Sequence, residues 1–431
     1  MAEAHAQHGP CAAPSPEAVV AQVAARPGTV WLDGGDAGWS VLVWDPVEVV
    51  RAAEGWPAAG RRLTRPAPAS ELPFVSGCVG YVGYEAGAAV APVPAARPTA
   101  EPPVWLGRYE GALLHHAASG RWEAVGAPEV RAAGARLLAE AGPLGPPPHP
   151  LPRPTRTVAR EDYLAAIARV LALIAEGDCY QVNLSRVVEV EGIDDAWQAY
   201  RRLRAGSRPD RGAFLALDPA LAVLSNSPER LLDVDGDEAV TEPVKGTRPR
   251  AADPARDAAA HRELEGSAKE RAELTMIVDL CRNDLGRVAV PGSVQAEARR
   301  VTAHANVHHA SQVVRARLAP GEDAWSALAA LFPPGSVVGA PKVRAAQRIA
   351  ELEPQPRGVY CGAIGFVSDH GRARWSVAIR SAVVHGRHAR FHVGGGIVAD
   401  SDPEAEWAET HAKGTLLQAA LAGARPGPRG A

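Results

Sequence analysis

The chain has 431 residues, 46% hydrophobic and 22% charged, with a formal net charge of −3. These are the proportions of a soluble globular protein of one large or two ordinary domains. They give no electrostatic reason to expect nucleic acid or an anionic membrane as partner.

The five cysteines, Cys11, Cys78, Cys179, Cys281 and Cys361, are scattered and odd in number. No Cys/His cluster suggests zinc, so the expectation is reduced thiols in a cytoplasmic protein. The N-terminus, MAEAHAQHGPCAAPSPE, has neither a basic start nor an apolar run, so it does not read as a signal peptide.

In chain order, residues 1–16 are expected to be disordered, with an N-terminal lobe over 17–142. Thr29 to Pro46 reads as two short strands around a Gly-rich turn. Phe74 to Glu85 reads as a glycine-rich strand open to close backbone approach. Val104 to His115 reads as one strand and Glu129 to Ala141 as a short helix. The proline-rich stretch 143–156 cannot be a helix or a central strand, and it reads as a linker. A catalytic domain over 157–422 and a flexible tail over 423–431 follow.

The second part opens with a helix from about Arg160 to Glu176, whose stripe is Leu164, Ile167, Leu171 and Ile174. Asp178 to Val190 alternates Tyr180, Val182 and Leu184 with Gln181, Asn183 and Ser185. One uncharged polar face suits the floor of a polar site, and it equally suits a face in solvent.

Ser225 to Arg250 reads as a hairpin turning at Asp235-Gly236-Asp237, with Glu229 and Lys245 on adjacent strands. A carboxylic acid and an amine so placed could serve one substrate as acid and nucleophile, or be ordinary solvated charges. Of the 46 basic residues, only Lys245, Lys269, Lys342 and Lys413 are lysines. A chain that otherwise uses arginine has kept the residue able to become a neutral nucleophile.

Asp253 to Arg287 reads as mostly helical, with Glu270 and Glu273 on one face. A last helix, capped by Asp402 with Pro403 at its first position, carries Glu406, Glu409 and Lys413 on one face. Two carboxylate pairs suit a hard cation, and they suit two solvated faces equally.

Val307-His308-His309 precedes an alternating strand, and Pro333 to Lys342 precedes a helix whose N-terminus could hold an anion. Gly358 to Ile397 reads as three strands bearing Tyr360, Arg380 and Gly394-Gly395-Gly396. The triglycine is either a bend or a place of close approach to a ligand carboxylate.

Together, GDCYQVNLSR, SPERLL, PVKGTRPR, KERAELTMIVDLCRNDLGRV, PPGSVVGAPK, YCGAIGF, AIRSAV and GGGIVADSDPEAEWAETHAK resemble, in that order, the chorismate-utilising enzymes. That family includes the large subunits of anthranilate and aminodeoxychorismate synthases and the isochorismate and salicylate synthases. The match runs from about Arg160 to Leu421. A looser one, through WLDGG, WDP and GYVGYE, covers the first part.

The resemblance implies an α+β fold, anthranilate synthase component I-like, with antiparallel sheets of two lobes packed as a sandwich and helices outside. It implies Mg²⁺ on Glu273 and Glu409, with Glu270 and Glu406 helping through water. Tyr360, Arg380 and the Gly394, Gly395 and Gly396 amides would hold the substrate carboxylates, with Lys413 beside the metal. Glu229 would be the general acid, His309 the site histidine and Thr247 a pocket hydroxyl.

Gln181 stands where water-adding members carry lysine. Anthranilate synthases carry alanine at the position of Lys245, whereas the lysine here resembles aminodeoxychorismate synthases. The resemblance therefore implies amination of chorismate at carbon 4 through a Lys245 adduct, in para-aminobenzoate or related secondary metabolism. Ammonia would come from a separate glutamine amidotransferase subunit, since no such domain is recognisable in the chain. A tryptophan site in the first part is doubtful, because Trp31-Leu32-Asp33-Gly34-Gly35 departs from the pattern of the feedback-inhibited members.

Overall fold

The computed structural model describes residues 13–423, apart from 37, 96, 209 and 304–306. Most of the expected disordered start and the tail lie outside the described residues. Within them, Ser15 caps a helix over Pro16–Ala21 by accepting from the Ala18 N–H, so order begins earlier than expected.

Two large sheets dominate, one of eleven strands and one of nine, with a three-stranded sheet beside them. All their registered pairings are antiparallel, the layout of an α+β protein. Val30, Val41 and Val223 of the larger sheet pack with Val79, Tyr81 and Phe366 of the other in one buried cluster. The sheets therefore form a sandwich, and helices cover their outer faces.

Strands from before and after the proline-rich stretch are interleaved in both large sheets. Thr29–Asp33 pairs with Arg211–Asp218, and Gly77–Val82 pairs with Ala363–Ser368. The stretch thus divides the chain without dividing the sandwich, and its end forms a strand over Thr155–Thr157.

Several elements differ from the sequence expectation. The single strand at 104–115 is two, Val104–Tyr109 in the smaller sheet and Gly111–His116 in the larger. The chain changes sheet at Gly111, where an added Cβ would meet the Val125 carbonyl at 2.3 Å. The Arg160–Ala175 helix buries Tyr163, Ile167, Val170 and Leu173, so its stripe is turned by about one residue. Four strands, not three, fill 363–397. His308 and His309 lie on the strand Val307–Ser311, not ahead of one.

Candidate active site

The site is built on the strand Gln181–Glu191, which runs antiparallel to His388–Ile397. Both faces of this strand are covered: Gln181, Asn183 and Ser185 are buried, so the polar face is not in solvent. Both ends of the Gln181 amide and the Asn183 Nδ2 have no hydrogen-bond partner among the described residues. Buried polar atoms of this kind are costly unless a ligand or water completes them. Tyr180 lies just before the strand and is exposed.

Gly394, Gly395 and Gly396 are regular strand residues, not a bend. The neighbouring strand Ser381–His385 pairs only as far as Phe391, so the triglycine has one edge without a sheet partner. An added Cβ on Gly395 would lie 2.7 Å from the Glu406 carboxylate. On Gly396 it would lie 2.0 Å from Gln181 Nε2 and 3.3 Å from Lys245 Nζ. The missing side chains are what let those three groups converge.

The hairpin forms as Arg230–Asp235 paired with Glu238–Glu242. Glu229 and Lys245 are not on its two strands, however. Glu229 precedes it, and Lys245 lies beyond it on Val244–Pro249, which turns away to pair with Val307–Ser311 in the small sheet. They meet through Ser336, in a 3₁₀ turn at Gly335–Val337. The Ser336 hydroxyl donates to Glu229 Oε1 at 2.5 Å, and the Ser336 carbonyl accepts from Lys245 Nζ at 3.0 Å.

Burial pushes the Glu229 carboxyl up to about 7, against the pull of Ser336, Lys245, the Val244 N–H and Lys413. Desolvation lowers the Lys245 ammonium, opposed by Glu273 and reinforced by Lys413. A carboxyl pushed up and an amine pushed down are the shifts that suit an acid and a nucleophile near neutrality.

The carboxylates come from two helices. Ser267 caps Ala268–Gly286, which carries Glu270 and Glu273. Asp402 caps Pro403–Ala422, which carries Glu406 and Glu409. Glu270 is paired with Arg248 at 3.2 Å, Glu409 with Lys413 at 2.5 Å, and Glu406 accepts from Ser401 at 2.6 Å. Glu273 has no ion pair or hydrogen bond among the described residues. Burial raises both Glu273 and Glu406, and each raises further beside another carboxylate.

No three His, Cys, Asp or Glu side chains among the described residues close into a ready metal cage. An all-oxygen set of one or two carboxylates, leaving room for water and substrate, is the set Mg²⁺ takes.

Lys413 also donates to the Gly394 carbonyl at 2.9 Å. Arg380, half-buried at a left-handed φ of 52°, has no ion pair or hydrogen bond from its guanidinium among the described residues. Burial lowers it, while Tyr360 and Glu409 nearby raise it. Tyr360 is buried and stacked on His392 at 5.2 Å. His309 is buried opposite Thr247 in the small sheet, whereas Thr247 itself is exposed.

Sequence reasoning passed over Ser336, and it named Asn183 and Lys269 without giving either a role of its own; Lys269 acts electrostatically on Glu273 and Glu409. A serine between glycine and two valines, flanked by prolines, was the one available hint at Ser336.

A family model described as chorismate binding enzyme matches residues 27–419. The chain belongs to that family. This chorismate-binding enzyme is 41% identical over 355 residues to aminodeoxychorismate synthase component 1 of Klebsiella aerogenes, covering 81% of this chain and 78% of that one. It is 40% identical over 354 residues to the protein of the same name from Salmonella typhimurium, covering 81% and 77%. Anthranilate synthase component 1 of Streptomyces coelicolor is 44% identical over 268 residues, 62% of this chain and 52% of that one.

Among solved structures, anthranilate synthase component I from Streptococcus pneumoniae superposes with a TM-score of 0.79 at 26% identity, covering 96% and 95% of the two chains. The menaquinone-specific isochorismate synthase of Escherichia coli shares the fold at a TM-score of 0.76 and 19% identity, covering 94% and 91%. No helix among the described residues is long and apolar enough to cross a membrane.

Proposed function

We propose that this chorismate-binding enzyme is an aminodeoxychorismate synthase large subunit, which replaces the 4-hydroxyl of chorismate by an amine. The observation that carries the reading is the half-buried Lys245 amine, held beside the Glu229 carboxyl through Ser336.

Neutral Lys245 attacks carbon 2 of the ring and the two double bonds shift. The 4-hydroxyl departs as water with the proton of Glu229. Ammonia then adds at carbon 4, the double bonds shift back, and the Lys245 nitrogen leaves carbon 2. Burial keeps Glu229 protonated up to about pH 7, as a general acid requires. Arg380 and the open edge of Gly394 to Gly396 hold the substrate carboxylates, with Tyr360 alongside. Gln181 offers a neutral amide with no basic group to activate water, which favours amination over hydration.

Glu273 and Glu409 are the proposed Mg²⁺ ligands, with Glu270 and Glu406 behind them. Bound there, the ion supplies positive charge to the ring carboxylate. The names of the relatives as component 1 support a separate ammonia-supplying amidotransferase.

Product identification by chromatography and mass spectrometry, from chorismate, Mg²⁺ and ammonium, tests the proposal. 4-Amino-4-deoxychorismate from the native chain and none from Lys245→Ala is the expected result. Anthranilate or a carbon 2 amine from the native chain overturns it.

A further inference from the structure

Three segments close a ring around the reacting centre. Glu229 is held by its own main chain: its N–H donates to Ser227 Oγ at 3.2 Å, and its carbonyl accepts from the Val377 N–H at 3.1 Å. Its carboxyl accepts the Ser336 hydroxyl, and the N–H of Val244, the residue before Lys245, lies near enough to lower it. Lys245 in turn donates to the Ser336 carbonyl. One residue, Ser336, thus touches both groups, with its side chain on one and its main chain on the other.

The turn that carries it is clamped on three sides. An added Cβ on Gly335 would stand 2.4 Å from Leu280 Cδ2 on the Ala268–Gly286 helix, so the turn lies directly against that helix. The buried Arg357 guanidinium donates to the Val337 carbonyl at 2.8 Å and to the Asn183 carbonyl at 2.6 Å. The Asn183 N–H donates to the Val338 carbonyl at 2.9 Å. A side chain on such a turn has little freedom, which is what a group that aims others requires.

We propose that Ser336 is a positioning residue that couples acid to nucleophile, its hydroxyl aiming the Glu229 carboxyl and its carbonyl aiming the Lys245 amine at one substrate ring. This rests on the acid and nucleophile roles proposed above. When Glu229 gives its proton to the departing 4-hydroxyl, the Ser336 O–H already points at the carboxylate that remains. The new charge therefore arises against a preset donor. In the same step the Lys245 lone pair forms the bond to carbon 2, and the electrons of the breaking carbon 4–oxygen bond leave with water. Tying one N–H to the Ser336 carbonyl restricts where that lone pair can point.

The test follows chorismate consumption with Mg²⁺ and ammonium from about pH 5.5 to 9 in Ser336→Ala and Ser336→Thr. Ser336→Ala is expected to lose on the order of 10²-fold in kcat with KM for chorismate changed less than about twofold. Its alkaline limb should also move to higher pH, because the Glu229 carboxylate has lost a donor while Lys245, Lys413 and the Val244 N–H remain. Ser336→Thr, which keeps the hydroxyl, should recover to within about tenfold of native.

Native kcat and an unmoved limb in Ser336→Ala overturn the proposal. Equal impairment of both variants with an unmoved limb does so too. Should Ser336→Ala fail to fold, Ser336→Cys, close in size and a poorer donor, takes its place, and a native profile there is equally fatal. Product identity keeps the two readings apart. Aminodeoxychorismate formed with Ser336→Ala indifferent removes only the coupling. A different native product with the Ser336 effect intact removes only the assigned reaction.

Discussion

Lys342 Nζ lies 2.5 Å from Asp284 Oδ2, and both side chains are buried. The pair joins the end of the carboxylate-bearing helix to the first residue of the helix Lys342–Leu352, just beyond the Ser336 turn. Lys342 also reaches the Leu331 carbonyl at 3.2 Å. Removing one member leaves the other charge buried and alone, which typically costs ~3–5 kcal/mol. Lys342→Met should therefore lower the unfolding midpoint clearly. The double variant with Asp284→Leu should recover most of the loss. Chemical denaturation of the three proteins checks this, and a double variant as unstable as the single one would contradict it.

Glu229 makes stability depend on pH. Its folded value, about 7, lies above the ordinary 4.5, so the folded state favours the neutral carboxyl. That stabilisation is complete below about 4.5 and is lost as pH rises through about 7. At about 1.4 kcal/mol per unit, the charged form costs the native protein up to ~3 kcal/mol at high pH. Glu229→Gln has no such term. Its melting temperature should gain on the native one between about pH 5 and 8 while its amination activity disappears. A constant difference in melting temperature would refute the burial argument.

Gly396→Ala should keep the fold and lose the reaction. The added methyl displaces the flexible end of Gln181 and crowds Lys245, while the strand pairing with Asn183 stays possible. The expected stability loss is ~1–2 kcal/mol, against a kcat loss on the order of 10²-fold. Circular dichroism beside steady-state kinetics separates the two effects.

Among the described residues, the Arg380 guanidinium has no hydrogen bond or ion pair, so its bonding capacity is open. Charge-assisted bonds to a carboxylate contribute ~1.5–3 kcal/mol. Arg380→Ala should raise KM for chorismate by about ten- to a hundredfold, and Arg380→Lys should restore only part of it, since lysine lacks the planar fork. Unchanged KM in both variants would place the substrate carboxylates elsewhere.

The proposed Mg²⁺ site predicts that chelation stops turnover and that added Mg²⁺ restores it. Glu273→Gln removes a carboxylate with no other partner among the described residues. It should raise the Mg²⁺ needed for half-activation by at least about tenfold without lowering the melting temperature. Calorimetry of chorismate binding with and without Mg²⁺ gives a readout independent of turnover.

Much of the local placement of the candidate site residues could be read before folding was considered. The spacing of Glu270 from Glu273 and of Glu406 from Glu409 and Lys413 put each set on one helix face, because helical periodicity is local. Alternation placed Gln181, Asn183 and Ser185 on one face of a strand, but could not say whether that face met water or protein. Scarcity singled out the four lysines, yet not their fates. Lys245, Lys269 and Lys413 act on the carboxylate site, whereas Lys342 is spent in a buried pair with Asp284. The hairpin was seen correctly and used wrongly: Glu229 and Lys245 flank it instead of facing each other across it.

The sequence by itself determined which groups are available, in which order and on which local faces, since helix and strand periods and caps depend only on near neighbours. Tertiary structure alone decided which of them touch. Ser336 reaches Glu229 across 107 positions of chain, and Arg357 reaches Asn183 across 174. Those meetings depend on how two sheets and their covering helices pack, and on glycines at 335, 395 and 396 that let atoms approach where a Cβ would block them. No local pattern carries that information, because the free energy of each contact belongs to segments far apart in the chain.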